Sequence, residues 1–427
     1  MNKQDRVFAK CAWRLIPFMM LLYVTNYLDR VNVGFAALTI NQDLGFSPSI
    51  YGFAAGIFFV SYAMFQVPAS VIISRVGVRC SVFFIMATWG ALSAATAFVQ
   101  EPVGFYILRF LLGVAEAGFF PSMILYLTFW FPHLYRARFT AIFMAAIPLS
   151  SIFGGPISGL ILGMDGVAGF YGWQWLFLLE GLPAFFLAFA VLKFLPDSPA
   201  SAAWLTSEEK ATIAERIAAE QPMARSDVWA GLSDPRVLAL GLAGMCSGIA
   251  SWGSQLWLPQ IVQAIGFSNF RTGLVVALFY LAGMAAMILW GSSSDRRGER
   301  VWHMVISWLV MATGLLVVSI AQNDIIVLMA LALAIVGLMA SFGPFYTLSS
   351  SFLIGPAAAG SIALINVFTT GLGGLLGPLL VGRLKEQTGD YSAAMVAMAA
   401  ALVVGAVIVL VLGRRMAARR LVAKPTI

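Results

Sequence analysis

The sequence predicts an all-α polytopic membrane protein with twelve transmembrane helices in two six-helix halves. The chain of 427 residues is 60% hydrophobic and only 11% charged, whereas a soluble protein carries about 25% charged residues. Apolar runs of about 20 residues, the length that crosses a bilayer as a helix, occur twelve times. One long polar segment separates six of these runs from the other six.

Each apolar run is expected to be a helix, because lipid offers no partner to backbone polar groups. Gly and Pro interrupt the pattern around 137–173, so this is the stretch in which the number of spans could differ by one. The twelve predicted spans, numbered in chain order, cover residues 12–38, 48–72, 80–99, 103–129, 138–163, 174–194, 237–264, 270–293, 301–321, 325–350, 357–382 and 391–413.

The spans group into an N-terminal six-helix bundle at 1–195 and a C-terminal six-helix bundle at 237–413, joined by a linker at 196–236. A basic tail follows at 414–427. Within the linker, TSEEKATIAERIAAEQ predicts a short surface helix, because Thr206 or Ser207 can cap it and Glu208 and Glu209 lie in its first turn.

Positive residues predict the orientation. Of the 26 Lys and Arg residues, 21 fall on the side of the two termini and three on the other side. This bias predicts cytoplasmic termini and a cell (inner or plasma) membrane location. It also accounts for the net charge of +7. No basic patch interleaved with aromatic residues occurs, so no nucleic-acid partner is expected.

The candidate charges are four side chains within predicted spans of the first half: Asp29, Arg30, Arg109 and Glu116. A charge at the centre of a span costs about 2.5–3.5 kcal/mol. Together the four would cost on the order of 10 kcal/mol if unpaired, which is comparable to the whole stability of a domain. They must therefore be paired with one another, hydrated in a cavity or neutralised by a proton.

Helical spacing indicates that several spans present a polar stripe. Arg109 and Glu116 are two turns apart on one face of span 4, about 10 Å along the axis, which leaves room for a small anion, water or another side chain between them. The other stripes hold Asn26 and Tyr27 beside Arg30 on span 1, Tyr62, Gln66 and Ser70 on span 2, Ser247, Ser251, Trp252 and Gln255 on span 7, and Asn366 and Thr370 on span 11. A central aqueous cavity explains five such stripes. Taken singly, Tyr62, Gln66 and Trp252 can equally serve helix packing.

The two halves carry a similar short motif at the same place in the sequence. SRVGVR at 74–79 follows span 2, and DRRGER at 295–300 follows span 8. Parallel repeats of six helices are a transporter plan with the binding site between the halves, near the middle of the membrane.

The longer string GSSSDRRGER, from Gly291, resembles the signature of the major facilitator superfamily. The resemblance implies a gating role for Asp295, Arg296 and Arg300. In the first copy it implies the same for Arg75 and Arg79, although Ser74 stands where Asp is usual. The contact of Asp295 with a helix N-terminus and neighbouring arginines would form in one transporter state and break in the other. The alternative is that these basic loop residues only enforce topology.

Four longer strings resemble one branch of that superfamily, the anion:cation symporters. They are NYLDRVNVGFA in span 1, RFLLGVAEAGFFPS in span 4, GWQWLFLLEGLPA in span 6 and LPDSPASAAWLTSEE after it. That branch imports organic carboxylates with protons, including sugar acids, tartrate, phthalate and hydroxyphenylacetate. The resemblance covers nearly the whole chain and is stronger in the first half.

The resemblance implies roles at matching positions. Asp29 and Glu116 would carry protons, Arg30 and Arg109 would bind the anion, and Tyr62 would line the site. The stripes add Trp252, Gln255 and Asn366 as candidate substrate contacts. Two departures bear on substrate choice: Gln66 replaces a frequent Glu, and Thr369 and Thr370 stand where a second Asn is frequent.

The hypothesis is proton-coupled import of a small organic carboxylate by alternating access. Arg matches a carboxylate with two donors, and the proton affinity of an acid beside it depends on whether the anion is bound. The chain is expected to be a monomer in the lipid bilayer, with H+ as coupling ion and no cofactor or metal.

Two alternatives remain. One is a proton-coupled exporter, because GGPISG in span 5 resembles the Gly-Pro motif of such proteins. The more remote one is a membrane-embedded sensor or enzyme. Two scattered histidines and three scattered cysteines supply neither a metal cluster nor a catalytic nucleophile, so no enzymatic activity is expected.

Overall fold

The computed structural model describes residues 3–219, 234–350 and 356–422, and this part of the chain is helical with short connections. Twelve helices are long and apolar enough to cross a membrane, which confirms the predicted number of spans and the fold class. The spans are Asp5–Asp43, Pro48–Val76, Val78–Thr96, Pro102–Trp130, Arg138–Met164, Gly172–Phe194, Pro235–Gln263, Asn269–Arg297, Val301–Ile320, Asp324–Ser349, Ser361–Thr388 and Ser392–Arg415.

Three spans are built from consecutive helices that meet at local irregularities. Span 5 is interrupted at Ala145, and spans 4 and 11 are interrupted as well. Pro102–Glu116 and Phe119–Trp130 form span 4, His133–Met144 and Ala146–Ile161 lead through span 5, and Pro356–Asn366, the π-helical segment Val367–Leu372 and Gly373–Thr388 make span 11.

The first helix, Lys3–Asp43, begins well before the predicted start of span 1, because its polar end packs against the linker. The linker helix Ser207–Ala218 forms where the sequence predicts it, capped by Thr206. Lys10 Nζ lies 2.8 Å from Glu209 Oε2, and this contact lowers the pKa of the Glu209 carboxyl. Residues 220–233 of the linker and the tail after 422 lie outside the described residues.

Helix pairings in the two halves repeat with an offset of six. Span 3 packs on span 6 as span 9 packs on span 12, and span 2 packs on span 4 as span 8 packs on span 10. Spans 1 and 5 pair as spans 7 and 11 do. The contacts between the halves are also symmetric: span 5 meets span 8, and their counterparts in the other half, spans 11 and 2, meet each other. The repeat seen in the loop motifs therefore extends to the packing.

We call the membrane side that carries the two termini the terminal side, and the other side the far side. The halves meet in the far-side part of the spans. Spans 5 and 8 touch backbone to backbone, because a Cβ on Gly155 would lie 2.6 Å from the Gly273 carbonyl oxygen. Glu386 at the end of span 11 accepts hydrogen bonds from Ser47 Oγ (3.2 Å) and Ser49 N (3.0 Å) at the start of span 2.

The terminal-side part of span 2 has few neighbours. Its far-side residues from Tyr51 to Ala63 are mostly buried. From Met64 to Val76 the exposed hydrophobic side chains cover about half of the helix circumference, and Ile73 on the opposite face is buried. Because the contacts that join the halves lie on the far side, the central space opens toward the terminal side in this structure.

The close approach of spans 5 and 8 makes a testable prediction about Gly155. Gly155→Ala is expected to destabilise the far-side interface by about 1–3 kcal/mol, the usual cost of adding a methyl group to a packed contact. The thermal unfolding midpoint of purified protein in detergent should fall by several degrees. Gly291→Ala is the matched control, because a Cβ there meets nothing within 4 Å. Equal midpoints for the two variants would contradict the contact.

Candidate functional site

Span 1 and span 4 bring an ion pair into the N-terminal half. Arg30 Nη2 lies 2.9 Å from Glu116 Oε2, and the Glu116 side chain is fully buried. Asn26 Nδ2, one turn before Arg30, donates to the same carboxylate oxygen at 2.8 Å. The stripe predicted on span 1 therefore serves one purpose, which is to compensate a carboxylate inside the membrane.

Aromatic rings surround the Arg30 guanidinium on its remaining sides. Its Cζ lies 4.7 Å from the ring centre of Tyr62 and 5.4 Å from that of Phe58, with Tyr27 at 5.9 Å. At such distances a ring face attracts a cation. Tyr62, predicted to line the site, thus lies against the buried cation, in line with the stripe on span 2.

Arg109 is buried in the same region without an acidic partner in hydrogen-bond contact. Only 1% of its surface is exposed, and its Nε and Nη2 atoms have no hydrogen-bond partner. Its Cζ lies 4.9 Å from the centre of the Phe58 ring, the ring that Arg30 also faces. Since buried donors are normally satisfied, this guanidinium is the group in the site that most needs an anion.

Asp29 points away from Arg30 although the two are adjacent. Ser93 Oγ of span 3 donates to Asp29 Oδ1, and Asn32 Nδ2 donates to the same oxygen at 3.1 Å. Asp29 Oδ2 is buried and has no hydrogen-bond partner. The four charges predicted as one set therefore form two groups: Arg30, Arg109 and Glu116 around Phe58, and Asp29 among spans 1, 3 and 6.

A further buried acid, Glu180 of span 6, lies beside Asp29 and was not among the predicted site residues. It is 6% exposed, and Ser158 Oγ of span 5 donates to its Oε1 at 2.7 Å. The rule that an ionisable residue inside a span marks a functional site would have found it. The string GWQWLFLLEGLPA served only as a family resemblance in the sequence analysis.

The polar residues of spans 7 and 11 contact the N-terminal half. Gln255 Oε1 accepts from Tyr27 OH at 2.9 Å and from Tyr280 OH at 3.3 Å. Trp252 packs on Phe59, with ring centres 4.3 Å apart. Each of these two predicted contacts therefore joins the halves at the edge of the central space.

Asn366 also crosses between the halves. Its Nδ2 donates to Gln66 Oε1 at 2.7 Å, and its Oδ1 accepts from Thr370 Oγ1 at 2.8 Å. Gln66 supplies a neutral acceptor to this contact. Asn366 directly precedes the π-helical segment of span 11, and such local irregularities occur frequently at functional sites.

Tyr346 of span 10 is a second residue that the sequence analysis missed. It is 45% exposed although it lies inside the bundle, and it is close enough to Tyr62 and Arg30 to interact with both electrostatically. Tyrosine in an apolar helix gives no signal of its own, because aromatic residues are frequent in membrane spans.

The predicted gating residues lie at the terminal-side ends of spans 2 and 8. Arg79 contacts Asp197 at 3.5 Å and donates to the Leu192 carbonyl. Asp295 is 71% exposed on its side chain and pairs with Arg300 at 2.7 Å. Arg296 borders a surface groove with Ser292, and Arg75 is exposed. Their gating role stays a prediction.

Among the described residues, no group of three or more His, Cys, Asp or Glu side chains could hold a metal ion. The polar residues described here are two arginines and three acids in contact with donors from neighbouring spans, beside a wall of aromatic rings. A bundle of twelve spans with such a polar centre defines a multi-pass membrane transporter.

The family model of the Major Facilitator Superfamily matches residues 19–378 and 240–426. The chain belongs to this superfamily and is a transporter, not an enzyme. The fold is shared with a bacterial homologue of the human lysosomal transporter Spinster, solved in an inward-facing and occupied conformation. The TM-score is 0.79 at 15% identity, over 94% of this chain and 96% of that one.

Two curated relatives cover nearly the full length. A putative tartrate transporter of Agrobacterium vitis is 47% identical over 96% of this chain and 92% of its own length. A quinolone resistance transporter of Acinetobacter baumannii is 36% identical over 96% of this chain and 95% of its own length. The first name concerns a dicarboxylate and the second a drug-resistance transporter.

The buried ion pair makes a prediction that does not depend on transport. Arg30→Ala or Glu116→Ala alone leaves its partner charge buried and should cost about 3–5 kcal/mol. The double variant should cost less than the sum of the two, with a coupling of about 1–3 kcal/mol. Thermal unfolding of the three variants in detergent measures this cycle. Additive effects would show that the two side chains do not interact.

Proposed function

We propose that this chain imports a small organic carboxylate together with protons, by alternating access. The observation that carries the proposal is the Arg109 guanidinium, buried in the centre of the N-terminal half with two nitrogens unsatisfied. A buried cation without a partner is expensive. A carboxylate fits it better than a neutral ligand, because it can accept two parallel charged hydrogen bonds.

The space around Arg109 favours a compact acid with more than one polar group. Arg109 and Arg30 both face Phe58, so an anion between them would meet two cations and an aromatic wall. The tartrate named for the relative with 47% identity has two carboxylates and two hydroxyls. Tyr62, Gln255 and Asn366 offer hydrogen bonds to such hydroxyls.

Proton coupling follows from competition for Arg30. Hydrogen bonds from Arg30 and Asn26 stabilise the negative charge of Glu116. A substrate carboxylate that takes the Arg30 donors removes this support, and the buried Glu116 then binds a proton. Asp29 carries the second proton in this proposal. Release of the anion restores the ion pair and expels the proton, so anion and proton move together.

The direction rests on the orientation of the chain. The bias of 21 positive residues to three supports cytoplasmic termini in this proposal. The terminal side is then the cytoplasmic side, and the present conformation is open to the cytoplasm. In the outward-open state, spans 5 and 8 separate on the far side. At the same time the terminal-side ends of spans 2 and 8, which carry Arg79 and Asp295, approach each other.

Replacing the proton-carrying acids tests coupling. Asp29→Asn and Glu116→Gln should abolish accumulation of labelled substrate driven by an inward proton gradient in proteoliposomes. Exchange of labelled for unlabelled substrate should continue, because exchange needs no net proton movement. The substrate is first chosen from a panel of carboxylic acids by thermal shift. Normal accumulation by both variants would exclude the assignment.

Replacing Arg109 tests the binding role. Arg109→Ala should weaken binding about 30-fold or more, since loss of one partner of a buried charged pair costs about 2–5 kcal/mol. Arg109→Lys should also weaken binding, because an ammonium lacks the two-pronged fit. Binding is measured by calorimetry at fixed pH. Unchanged affinity of Arg109→Ala for the anion would remove the proposal's main support.

Export is the second candidate, favoured by the relative named a quinolone resistance transporter and by GGPISG in span 5. Gly155 of that motif packs against Gly273, so the motif has a packing role whether the protein imports or exports. Measurement of substrate movement into or out of proteoliposomes under an inward proton gradient separates import from export.

A further inference from the structure

The Phe58 ring lies against both guanidiniums of the candidate site. Its centre is 4.9 Å from Arg109 Cζ and 5.4 Å from Arg30 Cζ, and Phe58 is fully buried in span 2. Two positive charges that share one neighbour in a medium of low polarity repel each other. A neutral side chain therefore occupies a place where two buried cations would otherwise need a negative charge.

Close packing of spans 2 and 4 fixes the position of this ring. Gly113 lies one turn after Arg109 and one turn before Glu116, so it shares their face of span 4. A Cβ on Gly113 would clash with the backbone carbonyl oxygen of Phe58 and with Ser61 Oγ, which donates to that carbonyl at 3.0 Å. The backbone at Phe58 is thus packed directly onto span 4 between the arginine and the acid.

The two arginines differ in what else compensates their charge. Arg30 Nη2 is 2.9 Å from Glu116 Oε2, and the centre of the Tyr62 ring lies 4.7 Å from Arg30 Cζ. Arg109 has Nε and Nη2 without hydrogen-bond partners. The face of an aromatic ring is negative and attracts a cation, more strongly where water is excluded. For Arg109, the Phe58 ring is therefore a direct contact that compensates the positive charge while no anion is bound.

The attraction of the ring matters most in the empty site. Without an anion the ring faces two full positive charges, whereas a carboxylate bound to the arginines cancels one of them. The ring therefore stabilises the empty site more than the occupied site. An interaction of this kind lowers the affinity for the ligand by the difference between the two states.

We propose that Phe58 is a positioning residue that stabilises Arg30 and Arg109 in the empty site and thereby limits the affinity of the site for the anion. The role rests on the proposed function, in which a carboxylate binds between these two arginines. A carrier must release its substrate and then return with an empty site. A neutral ring supports both steps, because it stabilises the cations without the full negative charge that would exclude the substrate.

Fluorinated phenylalanines at position 58 test this role. Fluorine withdraws electron density from the ring face and changes the ring size little, so one, two and three fluorine atoms weaken the attraction for a cation in steps. The unfolding midpoint of the ligand-free protein in detergent should fall with each step. Tartrate is the probe for binding, measured by calorimetry at fixed pH. Its affinity should rise about tenfold over the series, because the empty state loses more stabilisation than the occupied state.

Phe59 provides the matched control. It is as deeply buried as Phe58, but its ring packs on Trp252 of the C-terminal half, with 4.3 Å between the ring centres. The same substitutions at position 59 alter the electrons of a ring in an equally tight place. They should leave the affinity for tartrate unchanged, because this ring packs on an indole and not on a guanidinium.

A role in packing alone predicts a different pattern and would overturn the inference. Damage to packing lowers the unfolding midpoint and weakens tartrate binding together. It also lowers the midpoint of Arg109→Gln by as much as that of the wild type. The proposed role instead predicts smaller steps in Arg109→Gln, since one of the two cations is gone.

The two measurements distinguish failure of this inference from failure of the proposed function. If the wild type binds tartrate and the affinity is unchanged or falls along the series at position 58, Phe58 does not limit affinity and this inference alone fails. If tartrate binds neither the wild type nor any variant, the proposed function fails, and with it the effect on affinity. The midpoints of the ligand-free proteins then still decide whether the ring stabilises the two cations.

Discussion

The low polarity of the bilayer imposes the constraint on which the rest of the structure depends, since each charge buried in a span must be compensated. The N-terminal half meets this constraint for Glu116 by placing Arg30 and Asn26 against it. The constraint is not met at Arg109, where Nε and Nη2 lack hydrogen-bond partners although the guanidinium packs on Phe58. A site that is incomplete without an anion is also a site whose occupancy alters the proton affinity of the acids around it.

The way in which the two halves pack determines the side of the membrane from which the site can be reached. Contacts between the halves use backbone approach on the far side, as at Gly155 and Gly273, and polar contacts near the centre, as between Asn366 and Gln66. Such small contacts can separate without unfolding either half. Helix pairings within each half recur with an offset of six, so each half is packed as a unit of its own.

Much of this architecture is predictable from sequence because bilayer thickness and helix periodicity are simple rules. The twelve spans and the capped helix at Ser207–Ala218 follow from apolar length and capping chemistry. The superfamily follows from long motifs. Domain boundaries and orientation stay predictions of the sequence, and so do the roles of the gating residues.

The arrangement of the site was less predictable, because it depends on how helices are rotated and which neighbours they meet. Asp29 and Arg30 are adjacent in sequence, yet about 100° of helical rotation separates them, and spans 3 and 6 give Asp29 its own surroundings. The Asn366–Gln66 contact joins residues 300 positions apart. Glu180 carried a signal that a strict search for acids within spans would have found.

The central claim is that anion binding and proton binding are linked in one site. The most direct measurement is proton uptake by purified protein in weakly buffered detergent solution when a pH-matched carboxylate is added. The carboxylate is the one that most raises the unfolding midpoint. The account predicts that the solution becomes more alkaline in proportion to bound substrate. Saturable binding of the anion with no change in proton content would contradict it.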